Sequence, residues 1–339
     1  MKNFKIQNKL IGENRPTFVI SEIGINHNGS AEQCAQMILR SKKAGADAVK
    51  LQISNPEESY HKKTSSYAVF KKNSLSSTQI EKLKNYAQSQ KIIFFATVGD
   101  FKSLELIKKF KFPAAKISSG LITNEPLIKE ISKLKIPIII STGMSFKKEI
   151  KKAIFISKKN NNNAGVAILK CTSLYPAPHD TINLNAIENF KKYFKIPVGY
   201  SDHTIGSLAC LSAVNFGATI IEKHFTLDKK QKGLDHKLSA DPAELKDIIS
   251  NIRKIEKLKG SSLIKPHKLE IKQRGKMHRR IFASSDISPN ETFTLKNIAL
   301  KRGHKTTKAL EPKYFKNVLG KKAKKKIKND EEIIKNKIK

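Results

Sequence analysis

The sequence lacks the features that would indicate a secreted or membrane-bound protein. It contains no tryptophan and only three cysteines, an odd number without paired spacing, which favours free thiols in a reducing compartment. No apolar run approaches the roughly 18 residues that a membrane-spanning helix needs. The N-terminal segment "MKNFKIQNKLIGENRP" has no apolar signal core. We therefore expect a soluble, cytoplasmic protein that is not attached to a membrane.

Acidic residues are also scarce, since 29 Asp and Glu stand against 66 Lys and Arg, which gives a formal charge of +37. An excess of this size is typical of proteins that bind nucleic acid or another anionic polymer. The lysines are nevertheless spread over the whole chain, accompany abundant Ile and Asn, and are not interleaved with aromatic residues. That pattern is typical of solvated faces encoded by an AT-rich genome. We expect no nucleic-acid partner, but a surface that attracts small anionic substrates.

The first 260 residues alternate short apolar runs with helical stretches, and 39% hydrophobic residues suffice for a sizeable core. We predict eight strands, at residues 18–23, 48–52, 92–96, 115–118, 137–141, 166–171, 196–200 and 218–222. A last helix, at about 242–258, begins with Asp241 as N-cap, Pro242 at the first position and Glu244 at the third. Eight strand–helix units predict a closed (β/α)8 TIM barrel. A doubly wound open sheet is the competitor, but no glycine-rich fingerprint follows the first strand.

The character of the sequence changes after residue 260. Residues 261–278 show little periodicity and are interpreted as a linker, and residues 279–339 as a small, mostly β domain with turn-rich segments. Two of these segments, "ISPNETF" and "IKNDEEI", resemble one another, each with a tight turn followed by Glu. A domain of about 60 residues buries little core by itself, so we expect it to be stable only when docked.

Polar side chains gather at the predicted C-terminal ends of all eight strands, which open onto one face of a barrel. "PVGYSDHTIG" and "GATIIEKHFT" place His203 and His224 at the ends of neighbouring strands, so both should reach one ion. Two histidines without a third strong ligand favour a loosely held divalent ion with open positions. Lys50 and Lys116, with several hydroxyls, predict a cradle for a phosphate and a carboxylate. Glu22 is the acidic residue expected to face them, as an orienting group or proton acceptor.

Nine motifs resemble the sialic acid synthase family in order and spacing, from about residue 15 to 335. They are "SEIGINHNG", "GADAVKLQ", "KISSG", "STGM", "CTSLYPAP", "GYSDHTIG", "IIEKHFT", "LDHKLSADP" and "RRIFASSDISPNETFT", the last of which resembles that family's antifreeze-like SAF domain. The resemblance implies condensation of phosphoenolpyruvate with an N-acetylated mannose-type sugar and water, which gives a nine-carbon sialic-acid-like 2-keto acid and phosphate. The sugar would be N-acetylmannosamine or 2,4-diacetamido-2,4,6-trideoxymannose. It also implies a divalent metal, typically Mn²⁺ with Mg²⁺ or Co²⁺ as alternatives, and a domain-swapped homodimer.

The resemblance also implies roles for individual residues. His203 and His224 would hold the metal, and Arg280 would reach the partner subunit's barrel and contact the N-acyl group of the sugar. The residues implied to bind phosphoenolpyruvate are Lys50, Thr97, Lys116, Ser119, Ser141, Ser173 and Ser201. The residues implied to meet the sugar hydroxyls and to place the attacking water are Glu22, Gln52, Tyr175 and Asp235.

The chain departs from the pattern of the family at five places. Leu121 stands where many members have an acidic residue, and Ser173 stands where neuraminate synthases often have Asn. Three motifs differ from their usual form: residues 97–99 are "TVG" instead of "TPF", residues 233–236 are "GLDH" instead of "GPDH", and residues 279–281 are "RRI" instead of "RRS". These departures leave the metal and lysine positions unchanged but affect which sugar the resemblance implies. "CTSLYPAP" and "VGYSDHT" resemble the legionaminate-type branch of the family. Two alternatives stay open: a related barrel that condenses phosphoenolpyruvate with a sugar phosphate, and a basic protein that binds an anionic polymer.

Overall fold

The computed structural model describes residues 3–339 and divides the chain into two compact units, Met1–Gly260 and Ser261–Lys339. The first unit opens with an antiparallel pair of short strands, β1 (Phe4–Ile6) and β2 (Lys9–Ile11). This pair was not predicted, because no helical stretch follows either strand to mark it as part of a strand–helix unit. Within the described residues no helix is long and apolar enough to cross a membrane.

Eight parallel strands, β3 to β10, close into a barrel, which confirms the predicted fold. Their bounds in chain order are Phe18–Gly24, Ala48–Ile53, Ile93–Val98, Ala115–Ile117, Ile138–Ser141, Val166–Cys171, Val198–Asp202 and Ile220–His224. The barrel closes where β10 pairs with β3, with His224 beside Glu22. The last two strands run two residues further than predicted, so His224 lies on its strand and His203 follows its strand directly.

Ten helices, α1 to α10, belong to the same unit. Their bounds are Ala31–Ala44, Pro56–Ser59, Ser65–Asn73, Ser77–Ser89, Phe101–Lys109, Glu125–Ser132, Lys147–Lys159, Ala186–Phe194, Leu208–Asn215 and Pro242–Lys259. Several begin at side-chain caps; Asp241 accepts hydrogen bonds from the backbone of Ala243 and Glu244, as predicted for α10. The two short helices α2 and α3, between β4 and α4, were not predicted.

Residues along each barrel strand alternate between the barrel interior and the layer of helices outside it. The interior holds a cluster of apolar side chains that includes Ile20, Phe95, Ile139, Leu169 and Ile220. Their outward neighbours pack against the helices in a second, larger core. Polar side chains follow the apolar ones towards the carboxyl ends of the strands. The alternation therefore fixes which of these polar side chains point into the barrel mouth.

The second unit has its own small core. The segment interpreted as a linker contains two single-turn helices, α11 (Lys268–Ile271) and α12 (Arg274–Met277). An antiparallel pair follows, β11 (Arg279–Ala283) with β12 (Ile298–Arg302), and then a short helix, α13 (Phe315–Val318). Ile281, one of the departures from the family pattern, is completely buried in this core.

The two similar segments of the second unit form matching turns. Asn290 and Asp330 both have positive φ, at 66° and 65°. In each turn a glutamate accepts a hydrogen bond at 2.7 Å from a backbone N–H three residues earlier; these glutamates are Glu291 and Glu331. The sequence similarity thus reflects a repeated turn.

Candidate active site

Lys50, on β4, is the centre of a buried group of charges at the carboxyl ends of the strands. Its Nζ lies 2.6 Å from Oε2 of Glu22, 3.7 Å from Oε2 of Glu222, and donates a hydrogen bond of 2.9 Å to the hydroxyl of Thr97. Burial lowers the pKa of Lys50, but Glu22 and Glu222 outweigh that effect and hold the pKa above its ordinary value. Lys50 therefore carries its charge at neutral pH.

Lys116, on β6, forms the second half of this group. Its Nζ donates to the hydroxyl of Ser141 at 2.6 Å and lies 3.6 Å from Oε1 of Glu222, which also accepts a 2.9 Å hydrogen bond from Ser201. Burial lowers the pKa of Lys116, and Glu222 opposes this effect. Burial raises the pKa of Glu222, but Lys116 and Lys50 outweigh burial and bring it to about 2. Glu222 is thus a permanent anion between two lysines.

Glu222 is a functional candidate that the sequence reasoning missed. Glu22 was the acidic residue expected to face the lysines, whereas the structure places a further carboxylate, that of Glu222, between them. The signal was available, because Ile220 points into the barrel and side chains two apart share a face, so Glu222 and His224 point inward as well. Cys171 was also missed; its Sγ lies 3.7 Å from Nδ1 of His203.

Glu22 lies at the edge of the mouth, between a cation and an amide. Its Oε1 accepts a 3.0 Å hydrogen bond from Nε2 of Gln52, while its Oε2 is paired with Lys50. Burial raises the pKa of Glu22 above its ordinary value, and this outweighs the lowering effect of Lys50. The carboxylate is therefore a better proton acceptor than an exposed glutamate.

Two serine hydroxyls and a backbone N–H meet beside the lysines. The N–H of Gly143 donates to Oγ of Ser119 at 3.0 Å, and Oγ of Ser173 is buried without a hydrogen-bond partner. A Cβ at Gly143 would lie 2.2 Å from Oγ of Ser173 and 2.8 Å from Oγ of Ser119, so a side chain has no room there. A buried hydroxyl without a partner is costly in a folded protein and is suited to a ligand oxygen.

His203 and His224 lie next to each other, with ring centroids 5.4 Å apart. Nδ1 of His203 is 2.6 Å from the carbonyl of Thr172, to which it donates, so in the neutral ring Nε2 carries the lone pair. Burial lowers the pKa of His203, but the hydrogen bonds of this ring outweigh burial and raise the pKa above its ordinary value. Nδ1 of His224 is buried without a hydrogen-bond partner and lies 3.6 Å from Oδ2 of Asp235. Burial lowers the pKa of His224 to about 4, so this ring is neutral at pH 7. Tyr175 is half exposed, and its ring contacts that of His203, with centroids 4.1 Å apart and the ring planes inclined by 31°.

The histidine pair fits a weakly held divalent ion. Each ring can offer a nitrogen lone pair, and neutral imidazole is a common ligand of divalent ions. Residues 3–339 contain no group of three or more His, Cys, Asp or Glu arranged to hold a metal. The protein would therefore supply two ligands, and water or substrate oxygens would supply the others, as in metal sites that act on a bound substrate.

A cavity of about 430 Å³ opens beside Thr97, whose hydroxyl accepts a hydrogen bond from Lys50. Predicted site residues line one part of it, and Tyr60, Phe70, Leu121 and Met144 line another. None of the residues that line this cavity is charged, although the chain contains 66 Lys and Arg. The cavity therefore suits a neutral ligand with apolar and hydrogen-bonding parts.

Arg280 lies in the second unit, on β11. Its Nη1 is 3.4 Å from Oε1 of Glu311, and its Nε is buried without a hydrogen-bond partner. Apart from Arg280, the predicted site residues lie together at the barrel mouth. The role implied for Arg280 stays a prediction.

Known proteins similar to this chain cover both units. A sequence model of the NeuB family matches residues 37–263, and one of the SAF domain matches residues 278–339. The chain is 41% identical, over 98% of its length and 96% of the relative's, to an uncharacterized protein of Methanocaldococcus jannaschii. It is 38% identical to the N,N'-diacetyllegionaminic acid synthase of Campylobacter jejuni, over 94% of this chain and 99% of that protein. The crystal structure of N-acetylneuraminic acid (sialic acid) synthetase from Leptospira borgpetersenii superposes with a TM-score of 0.77 at 33% identity, covering 81% of this chain and 97% of that one.

Proposed function

The chain belongs to the NeuB family, and we propose that it condenses phosphoenolpyruvate with an N-acetylated mannose-type sugar and water. The products are a nine-carbon 2-keto acid and phosphate. The observation that carries this proposal is one barrel mouth that combines two buried lysines, Lys50 and Lys116, with two adjacent histidines, His203 and His224. The lysines suit an anionic substrate, and the histidines suit an ion that activates a carbonyl.

Phosphoenolpyruvate would bind at the lysines. Nζ of Lys50 and Nζ of Lys116 lie 3.7 and 3.6 Å from oxygens of Glu222, beyond hydrogen-bond length, so each ammonium group can turn a donor to a ligand. The unpartnered hydroxyl of Ser173 lies next to Gly143, as does the hydroxyl of Ser119. The full set proposed to bind phosphoenolpyruvate is Lys50, Thr97, Lys116, Ser119, Ser141, Ser173 and Ser201.

The sugar would bind between the histidines and the opposite side of the mouth. A divalent ion on His203 and His224, most simply Mn²⁺ with Mg²⁺ or Co²⁺ as alternatives, would polarise the sugar aldehyde. Tyr175 and Asp235 lie next to these histidines and are proposed to contact the sugar hydroxyls. The other two proposed sugar contacts, Glu22 and Gln52, are hydrogen-bonded to each other.

The proposed reaction joins carbon 3 of phosphoenolpyruvate to the aldehyde carbon of the sugar. Water then adds to the resulting cation at carbon 2, and Glu22, whose pKa burial raises, would accept a proton from this water. The tetrahedral intermediate expels phosphate and leaves the 2-keto acid. Lys50 and Lys116 stay close to the carboxylate and phosphate throughout and stabilise their charge.

Within this reaction we propose a neutral sugar, and first of all 2,4-diacetamido-2,4,6-trideoxymannose. The relative from Campylobacter jejuni is named for N,N'-diacetyllegionaminic acid, and the 430 Å³ cavity contains no charged residue that would pair with a sugar phosphate. Apolar side chains of that cavity, such as Leu121 and Met144, suit a deoxy carbon better than a phosphorylated one. A homodimer that brings Arg280 to the partner subunit's barrel is part of the same proposal.

Release of phosphate tests the proposal directly. Purified protein with Mn²⁺ should release phosphate from phosphoenolpyruvate only when the sugar is present, and His203→Ala should abolish the release. Equal release without sugar would indicate a phosphatase. Preference for a phosphorylated sugar would favour the related keto-acid synthases instead.

A further inference from the structure

Behind the barrel mouth, a second buried ion pair joins the two strands that carry the histidines. Asp202 ends β9 and Lys223 lies on β10, side by side in the register of the sheet. Nζ of Lys223 is 2.7 Å from Oδ2 of Asp202, and the two side chains are 1% and 0% exposed. They alternate with inward-facing residues and therefore point to the helix layer, away from the mouth. Neither residue is among the site residues that the sequence predicts.

The carboxylate of Asp202 is fully satisfied by hydrogen bonds. Besides Lys223, its donors are the hydroxyl of Tyr200 at 3.0 Å, the N–H of Thr204 at 3.0 Å and the thiol of Cys210 on α9 at 3.2 Å. These donors come from the strand, from the loop after it and from a helix. Asp202 is thus held on three sides, and it precedes His203 directly.

Lys223 holds the other side of the same loop. Its Nζ also donates to the carbonyl of Thr204 at 2.5 Å. Thr204 is therefore fixed at its N–H by Asp202 and at its carbonyl by Lys223, and His203 lies between the two anchored residues. Because Lys223 is also the residue before His224, one ammonium group connects the backbone at both histidines.

We propose that Asp202 and Lys223 are positioning residues that set the separation of the His203 and His224 rings. A buried ion pair is a poor source of stability, because desolvation of each ion costs several kcal/mol and an apolar pair is often as stable. Its geometric effect is specific, however, since residues that hold metal ligands in place typically change metal affinity by about 10- to 100-fold. This inference rests on the proposed function, because it assumes that the histidines bind a metal.

Binding of Mn²⁺ without substrates, measured from the free-ion signal in electron paramagnetic resonance, tests the inference. Asp202→Asn and Lys223→Met should each weaken Mn²⁺ binding by about 10- to 100-fold. The matched control is Asp47→Asn, since Asp47 forms an ion pair with Arg253 and accepts from the N–H of Val19 at the start of a barrel strand. This control should lower the melting temperature and leave Mn²⁺ affinity unchanged.

A double variant separates positioning from folding. Asp202→Leu with Lys223→Met removes both ions together and should fold, yet it should still bind Mn²⁺ weakly because Thr204 has lost both anchors. The inference would be overturned if the two single variants, or the double variant, bound Mn²⁺ as tightly as the unmodified protein. The proposed function would be unaffected by that result. Failure of the unmodified protein to bind Mn²⁺ more tightly than His203→Ala would overturn the proposed metal site and the inference with it.

Discussion

The ammonium group of Lys50 lies 2.6 Å from a carboxylate oxygen of Glu22, and both side chains are buried at the barrel mouth. The predicted anion cradle is therefore not a simple excess of positive charge. Glu222 supplies a second negative charge, so the mouth holds two lysines and two glutamates in contact. An incoming anion must take over donors that now face carboxylates or hydroxyls. This requirement favours a substrate that also supplies well-placed acceptors over an arbitrary anion.

The histidine pair predicts metal-dependent turnover. Excess chelator should abolish activity, and Mn²⁺, Mg²⁺ or Co²⁺ should restore it. His203→Ala and His224→Ala should each lower the rate by about 10²-fold or more, because carbonyl activation is lost. His61→Ala, in an exposed loop, serves as the control and should retain activity. Full activity in excess chelator would contradict the metal assignment.

The lysines predict a selective effect on phosphoenolpyruvate. Lys116→Met or Lys50→Met should raise the KM for phosphoenolpyruvate far more than the KM for the sugar, because charge-assisted hydrogen bonds in a buried site are lost. Lys133→Met removes an exposed lysine that is paired with Glu130 and should change neither constant. Steady-state kinetics with each substrate varied in turn gives the answer. Equal loss for both substrates would mean that the lysines hold the barrel together instead.

A buried histidine outside the histidine pair predicts how stability depends on pH. Burial lowers the pKa of His27 to about 4 from its ordinary 6.5, and its Nδ1 accepts a hydrogen bond from the N–H of Gly29. Between pH 6.5 and about pH 4, His27 is therefore protonated in the unfolded chain and neutral in the folded chain. The free energy of unfolding falls as the pH falls through this window. The variant His27→Asn keeps a hydrogen-bond acceptor for the N–H of Gly29 but does not titrate. Acidification should therefore lower its free energy of unfolding by roughly 3 kcal/mol less than that of the unmodified protein.

Urea unfolding at pH 7 and pH 4.5 measures the effect of His27. His224, whose pKa is also about 4, contributes equally to both proteins, so the difference between them isolates His27. Parallel pH dependences for the unmodified protein and His27→Asn would show that His27 gains its proton without cost in the folded chain.

The small domain predicts complementation between inactive variants. If Arg280 serves the partner subunit's barrel, Arg280→Ala should weaken use of the sugar while Mn²⁺ binding stays intact. Co-expression of Arg280→Ala with His203→Ala should then restore part of the activity, because a mixed dimer contains one site with both native residues. Mixed dimers that are no more active than the parent proteins would limit Arg280 to its own chain or to a structural role.

Much of the fold was predictable because eight apolar runs, each followed by a helical stretch, leave few alternatives to a closed barrel. The short strands β1 and β2 were missed because no helical stretch follows either strand, and the helices α2 and α3 were missed because neither has a buried residue that would mark an apolar face. The polar strand ends were predictable as a group from their positions. Glu222 was missed although it lies two residues before His224 on β10 and therefore shares the inward face of that strand.

Contacts between strands distant in sequence could not be predicted from the pattern. The bridging position of Glu222 between Lys50 and Lys116 depends on how the barrel closes between β10 and β3. Likewise, the need for a glycine at Gly143 arises from two serine hydroxyls on other loops. Such relationships follow from strand register and barrel geometry, which local periodicity does not determine.

Mass spectrometry of the product tests the central claim most directly. The protein is incubated with phosphoenolpyruvate, Mn²⁺ and a panel of N-acetylated hexosamines that includes 2,4-diacetamido-6-deoxy sugars and phosphorylated sugars, with His203→Ala as the control. The account predicts a nine-carbon 2-keto acid equal in mass to the sugar plus pyruvate, formed from a neutral N-acetylated sugar, most rapidly from 2,4-diacetamido-2,4,6-trideoxymannose, and absent with His203→Ala. No condensation product from any neutral sugar, or a product from a phosphorylated sugar alone, would contradict it.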